Sequence, residues 1–157
     1  MTKTLGAKIA ISIIFCLTLG IASGLNTANA IANWYQYIQK PSWNPPNWLF
    51  GPVWTLLYIL MGIAAARVWH KSNTLKNKDL ALFLFQFALN LAWSTIFFSW
   101  HNIGGAFLEI IGMWLAIVAT ILQFKKTDSL AAYLLIPYLI WVSFAAFLNY
   151  TIWTLNP

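Results

Sequence analysis

LALFLFQFALNLAWSTIFFSW, from Leu80 to Trp100, runs without a single charged residue. As an α-helix at about 1.5 Å per residue, such a run matches a hydrocarbon core of about 30 Å. Its polar residues are not scattered. Gln86, Asn90, Trp93 and Phe97 follow the i, i+4, i+7, i+11 rhythm, so two amides and an indole share one helical face. Amides are costly against lipid, and this face therefore turns toward other helices.

Four further runs of this kind flank it. The spans are read as Ala7 to Leu25, Phe50 to Trp69, Leu80 to Trp100, Ile103 to Phe124 and Leu130 to Trp153. With 61% hydrophobic and 8% charged residues, the chain cannot hide its apolar surface in a water-soluble fold. The period-two alternation of a membrane β-barrel is absent. The expected fold is an all-α integral membrane protein, one five-helix transmembrane bundle over residues 1–157, with an outer loop and lid at 26–49. Asp79 and Asp128 stand where an N-cap or first-turn acid would open the third and fifth spans.

The basic residues sort by side. Lys3, Lys8, Arg67, Lys71, Lys76, Lys78, Lys125 and Lys126 fall on the side of the N-terminus, and Lys40 alone falls on the other. The positive-inside rule then places the N-terminus in the cytoplasm, with the C-terminus and first loop outside. The net charge of +6 is thereby explained as an orientation signal, without a nucleic-acid partner. Lys3, Lys8, the first apolar run and Ala28-Asn29-Ala30 also imitate a secretory signal with its cleavage site. The run is longer than a signal core, and Gly20-x-x-x-Gly24 suits a retained, packed helix, so retention is expected.

Conventional catalysis has little to work with. Three acids, two histidines and one cysteine offer no paired carboxylates, nucleophile elbow, phosphate loop or metal-ligand cluster, so no metal and no required cofactor is expected. His70 and His101 read as interfacial polar residues, and Cys16 as a small apolar filler. Trp34, Trp43, Trp48, Trp69, Trp100 and Trp153 fall near span ends and read as interfacial belt or loop residues. Glu109 is the one acid well inside a span, which makes it a functional candidate.

Two more polar or aromatic stripes join that of the third span. Trp54, Tyr58, Met61 and Ala65 form one in the second span, and Pro137, Trp141, Ala145 and Asn149 form another in the fifth. Pro137 cannot donate to the carbonyl of Tyr133, so a kink is expected there. Three such faces turned inward would enclose an aromatic-walled cavity with a few amides and hydroxyls, suited to a large apolar ligand. Buried amides also serve as plain interhelical glue, and that reading stands beside the first. At the junction of the first connection with the second span, KPSWNPPNWLFGPVW (Lys40 to Trp54) holds four prolines, enough to preshape a lid with Tyr35 and Trp43 over the outer mouth. Gly51-Pro52 fits the start of the second span.

These motifs together resemble the TspO/translocator protein family, also called the peripheral-type benzodiazepine receptor. The resemblance is carried by Trp34-Tyr35 with the proline-rich stretch, Leu57-Tyr58-x-x-Met61-Gly62, Gln86-x-x-x-Asn90-x-x-Trp93-Ser94, and Pro137-Tyr138-Leu139-x-Trp141 with Leu148-Asn149. It implies a five-helix bundle, usually a homodimer in the lipid bilayer, that binds protoporphyrin IX, haem or other planar hydrophobic ligands. It further implies a role in tetrapyrrole homeostasis and stress response. By resemblance, Trp54 and Trp141 match a ligand-facing indole pair implicated in light-dependent porphyrin breakdown, which keeps a photo-oxidative enzyme open as an alternative. A third alternative is a structural partner of other membrane proteins. Tyr35, Asn90, Trp93 and Ala145 match other pocket positions, and Glu109 matches a position that is usually acidic. Trp43, Tyr58, Gln86 and Asn149 complete the expected ligand-binding set. One departure stands out: Leu148 to Thr154 has no basic residue after Tyr150, unlike the sterol-recognition pattern of mitochondrial members.

Overall fold

The structure, a computed structural model, describes residues 4–157. Lys3, one of the eight basic residues assigned to the N-terminal side, lies outside the described residues. The described residues fold as six α-helices: α1 (Leu5–Ala30), α2 (Asn47–Ser72), α3 (Lys78–Ser94), α4 (Ile103–Thr127), α5 (Ser129–Leu134) and α6 (Ile136–Leu155). α5 and α6 are two halves of one span, so five helical segments are long and apolar enough to cross a membrane. There is no strand among the described residues.

The helix ends carry their capping chemistry in the sequence. Thr4 Oγ1 accepts from Ala7 N–H, Asn77 Oδ1 from Leu80, Asn102 Oδ1 from Gly105, and Asp128 Oδ1 from Ala131. Asp79 lies in the first turn of α3, where its carboxylate accepts from Gln123 Nε2 at 2.9 Å and Thr127 Oγ1 at 2.6 Å of α4. Asp128 also pairs with Arg67 at 2.9 Å and Lys71 at 3.4 Å, tying the α4–α5 corner to the end of α2. At that same end Lys8 is buried, its Nζ 3.5 Å from both the Trp69 carbonyl and Asn73 Oδ1. Pro137 acts as expected: the helix breaks at Leu135, and α6 restarts with the proline in its first turn.

Two boundaries differ from the sequence reading. α1 passes without interruption into a π-helical turn at Ile31–Tyr35, so the loop expected at 26–49 shrinks to residues 36–46. At 31 residues, Leu5–Tyr35 is roughly 46 Å long and extends past the hydrocarbon. Pro52 is not at the start of its helix either. α2 begins at Asn47, which places Pro52 in the second turn and frees the carbonyl of Trp48.

Around the bundle the helices run α1, α2, α5/α6, α4, α3 and back to α1. The half nearest the basic ends is solid. Met61, Val68, Phe83, Phe87, Phe124 and Tyr138 are buried there, with Phe83 stacked on both Phe87 and Phe124 at 6.0 Å between ring centres. The half nearest the loop is not.

Candidate functional site

A cavity of about 490 Å³ occupies that loop-side half. Its wall draws on all three stripes of the sequence reading. From α2 come Trp54 and Tyr58, from α3 Asn90 and Trp93, and from α6 Trp141, Ala145 and Asn149; Tyr35 closes the loop end. The stripes of α2 and α3 continue into the packed half, whereas that of α6 does not, since Pro137 is exposed. Met61 and Ala65 are buried core, and Pro137 lies below the void, so the cavity floor falls near Tyr58 and Asn90.

Hydrogen bonds fix the orientation of these side chains. Tyr58, stacked on Trp54 with ring centres 5.6 Å apart, donates its hydroxyl to Asn90 Oδ1 at 3.0 Å. That leaves Asn90 Nδ2 buried with no partner in the protein. Asn149 is engaged at both ends: its Oδ1 accepts from Trp93 Nε1 at 3.0 Å, and its Nδ2 donates to the Ile103 carbonyl at 2.9 Å. It therefore borders the cavity as a clamp joining α3, α4 and α6. Trp141 packs edge-on to Phe50 at 6.1 Å and against Phe144 at 5.5 Å.

At the loop end, Tyr35 packs on Phe97 and Phe98 and donates to Asn44 Oδ1 at 2.8 Å. Lys40 folds back over the Tyr35 ring and donates to the carbonyls of Tyr35 at 2.6 Å and Ile38 at 2.8 Å. Desolvation by burial holds its ammonium below the usual lysine range. Gln39 and Asn156 exchange two hydrogen bonds, Gln39 N–H to Asn156 Oδ1 at 3.0 Å and Asn156 Nδ2 to the Gln39 carbonyl at 2.9 Å. The segment 36–46 is thus strapped to the end of α6. No charged side chain contributes to the cavity wall among the described residues. The site can hold and orient an apolar aromatic body, and among the described residues no carboxylate, histidine or cysteine borders it.

A sequence model of the TspO/MBR family matches residues 12–154. The chain belongs to the TspO/MBR family. It is 44% identical over 153 residues to the tryptophan-rich protein TspO of Chlorobaculum tepidum, covering 95% of this chain and 96% of that one. Protein CrtK of Rhodobacter capsulatus is 40% identical over 150 residues, covering 94% and 92%. The human translocator protein is 41% identical over 126 residues, covering 78% and 75%. The family match takes in every part of the cavity wall, from Leu17 to Ile152.

In this TspO/MBR protein, three residues of the expected binding set lie off the wall. Trp43 is stacked on Phe147 at 5.3 Å and set edge-on to Phe144 at 6.0 Å, outside the cavity, because the short strapped loop carries it onto α6. Gln86 lies one turn below Asn90, within the packed half, and neither of its amide atoms has a protein partner. Glu109 belongs to α4, which gives no residue to the wall, and both of its carboxyl oxygens are buried without a protein partner. Conversely, α1 supplies a whole side of the cavity, including Gly20, Ser23, Gly24 and Thr27, none of which the stripes indicated. Only Gly20 and Gly24 carried any signal, as a close-packing pair, and that signal is half correct. A Cβ at Gly20 would lie 2.2 Å from Tyr58 Cε2, whereas one at Gly24 would meet nothing within 4 Å.

Proposed function

We propose that this membrane protein is a receptor or carrier for a planar hydrophobic tetrapyrrole, protoporphyrin IX or haem, serving tetrapyrrole homeostasis and stress response. One observation carries the reading: a charge-free cavity of about 490 Å³ bordered by the indoles of Trp54, Trp93 and Trp141. Indole faces stack on flat aromatic rings and shield them from water. The carboxylates of a porphyrin cannot be buried against such a wall, since an unpaired charge there is costly. The ring sits inside, and its charged edge stays at the loop-side interface, the end that carries Lys40. Family membership supports the receptor role, and the name of the human relative, translocator protein, fits a carrier. In this reading the protein is a homodimer in the cell membrane, N-terminus cytoplasmic and first loop outside.

The test is a titration of protoporphyrin IX against tryptophan fluorescence in lipid vesicles. Saturable quenching is expected, with affinity lost in a Trp54→Ala, Trp141→Ala double variant. Unchanged affinity in that variant removes the proposed site.

A second reading is a light-dependent enzyme, favoured by the placement of Trp54 and Trp141 on one wall, with Trp54 stacked on Tyr58. Illumination of the complex would then yield a new bound chromophore. Fading at the rate seen for porphyrin in empty vesicles would reduce it to ordinary bleaching.

A further inference from the structure

We infer that the cavity is loaded sideways, from the bilayer, through a portal between α1 and α2 framed by Gly24 and Gly51. The inference rests on the tetrapyrrole reading for the ligand's identity and on the geometry of α1 and α2 for the route.

The two helices are splayed. Near the basic end they meet backbone to backbone, since a Cβ at Gly62 would lie 2.7 Å from Ile13 Cα. Higher up, Gly20 sits against the Tyr58 ring. One turn beyond, the glycines face open space: added Cβ atoms at Gly24 on α1 and Gly51 on α2 would each meet nothing within 4 Å, yet both residues border the cavity. The rim there is apolar and open, with Ile21 59%, Leu25 66% and Trp48 71% exposed.

The other seams around the void carry hydrogen bonds or aromatic contacts. Thr27 Oγ1 and Ser94 Oγ lie 2.6 Å apart across α1 and α3. Trp93 and Asn149 join α3 to α6, and Phe50 with Trp141 joins α2 to α6. The strap from Gln39 to Asn156 and the Tyr35–Asn44 bond hold the loop end. Between α1 and α2, the hydrogen bonds among the described residues are those of Lys8 at the far end.

The portal's depth sets the chemistry of what can pass. Gly51 is four residues into α2, about 6 Å along the axis from Asn47, which puts the gap just below the headgroups of the loop-side leaflet. A flat ligand dissolved among the acyl chains can slide in edge-on there while its carboxylates stay at headgroup level. A ligand arriving from water would instead have to break the strap.

The experiment measures loading and release rates by stopped-flow quenching of tryptophan, with protoporphyrin IX supplied from donor vesicles to the full chain in acceptor vesicles. In Gly24→Leu, Gly51→Leu and their combination, both rates should fall together, by about tenfold in the combination, whereas a substitution that only shrank the cavity would speed release. Gly51→Ala should fall in between, and circular dichroism should show all variants folded. Asn156→Ala, which opens the strap, should leave both rates unchanged. Wild-type loading rates in the combined variant, or faster loading in Asn156→Ala, would overturn the portal. If the wild-type protein shows no saturable quenching by protoporphyrin IX, the tetrapyrrole reading fails. The same rates taken with pyrene, a flat hydrocarbon without carboxylates, then test the portal alone: slower pyrene loading in the combined variant supports it, and equal loading overturns it.

Discussion

Two buried amides in this bundle should respond to mutation with opposite signs. Asn149 is 1% exposed and uses both ends of its amide, accepting from Trp93 Nε1 and donating to the Ile103 carbonyl. Replacing it with leucine keeps the branched side-chain skeleton and removes two interhelical hydrogen bonds. Within a membrane such bonds contribute about 0.6 kcal/mol on average and up to about 1.7 kcal/mol. The Ile103 carbonyl opens α4 and still serves the helix, but Trp93 Nε1–H loses its acceptor, a loss of about 1–3 kcal/mol for a buried donor. Asn149→Leu should therefore destabilise by about 1–3 kcal/mol, the upper part applying if no water reaches the indole. Gln86 is equally buried, yet neither of its amide atoms meets a partner in the protein. Gln86→Leu removes a polar group that the interior does not satisfy, so it should be neutral or stabilising.

The assay is reversible unfolding in mixed micelles, followed by far-UV circular dichroism as the denaturing detergent fraction rises. A double-mutant cycle of Asn149→Leu with Trp93→Phe isolates the shared bond and should give a coupling of about 0.6–1.7 kcal/mol. Strictly additive losses would refute the clamp. So would an Asn149→Leu protein of wild-type stability that has lost only its ligand affinity, for the amide would then face the ligand.

Other expectations follow from the helix contacts and the ion pairs. Gly62→Ala drives a Cβ to within 2.7 Å of the α1 backbone and should cost about 1–3 kcal/mol, read as a lower unfolding midpoint. Gly24→Ala meets open space and should stabilise by about 0.4–1 kcal/mol through the unfolded chain, so equal shifts at the two glycines would contradict the splay of α1 and α2. At Asp128, burial raises the carboxyl, but the Ala131 N–H, the Arg67 guanidinium and the Lys71 ammonium outweigh it and hold the group below the ordinary aspartate range. A lowered folded value means that the contribution is fully present above the unfolded value of about 3.9 and fades as pH falls through the lower folded value. Asp128→Asn keeps the N-cap but not the ion pairs, so it should lower the melting temperature at neutral pH and flatten its decline in acid. An acid limb identical to wild type would assign that decline to other groups.

How much of this was legible in the sequence depends on what kind of signal each wall of the cavity leaves. Asn90, Trp93, Trp141 and Tyr58 are polar or amphipathic groups set in apolar runs, and helical spacing alone puts them on inward faces. Lipid has no partner to offer an amide, so the face of such a residue is decided locally. The depth of the void was not legible, because the stripes run on through Met61 and Ala65, and only the packing of Phe83, Phe87 and Tyr138 shows where filling stops. The loop boundary failed for a related reason. Thr27, Asn29 and Asn33 mark where α1 leaves the hydrocarbon, but leaving lipid does not end a helix: Thr27 Oγ1 donates to the Ser23 carbonyl and Asn33 Nδ2 to that of Asn29, along a helix that continues.

The wall from α1 was hidden because its contribution is a lack of volume. Gly20 and Gly24 are one turn apart and chemically identical, yet one is filled by the Tyr58 ring and the other faces open space. Which of them packs is set by the angle at which α1 leaves α2 above the Gly62–Ile13 contact, and no property of the residues themselves encodes that angle. A small-xxx-small pattern therefore specifies that two surfaces can approach, without specifying whether a helix or a ligand makes the approach. In this bundle the same motif does both: its lower glycine seats the tyrosine that orients Asn90, and its upper glycine borders the gap through which a flat molecule would reach that pair.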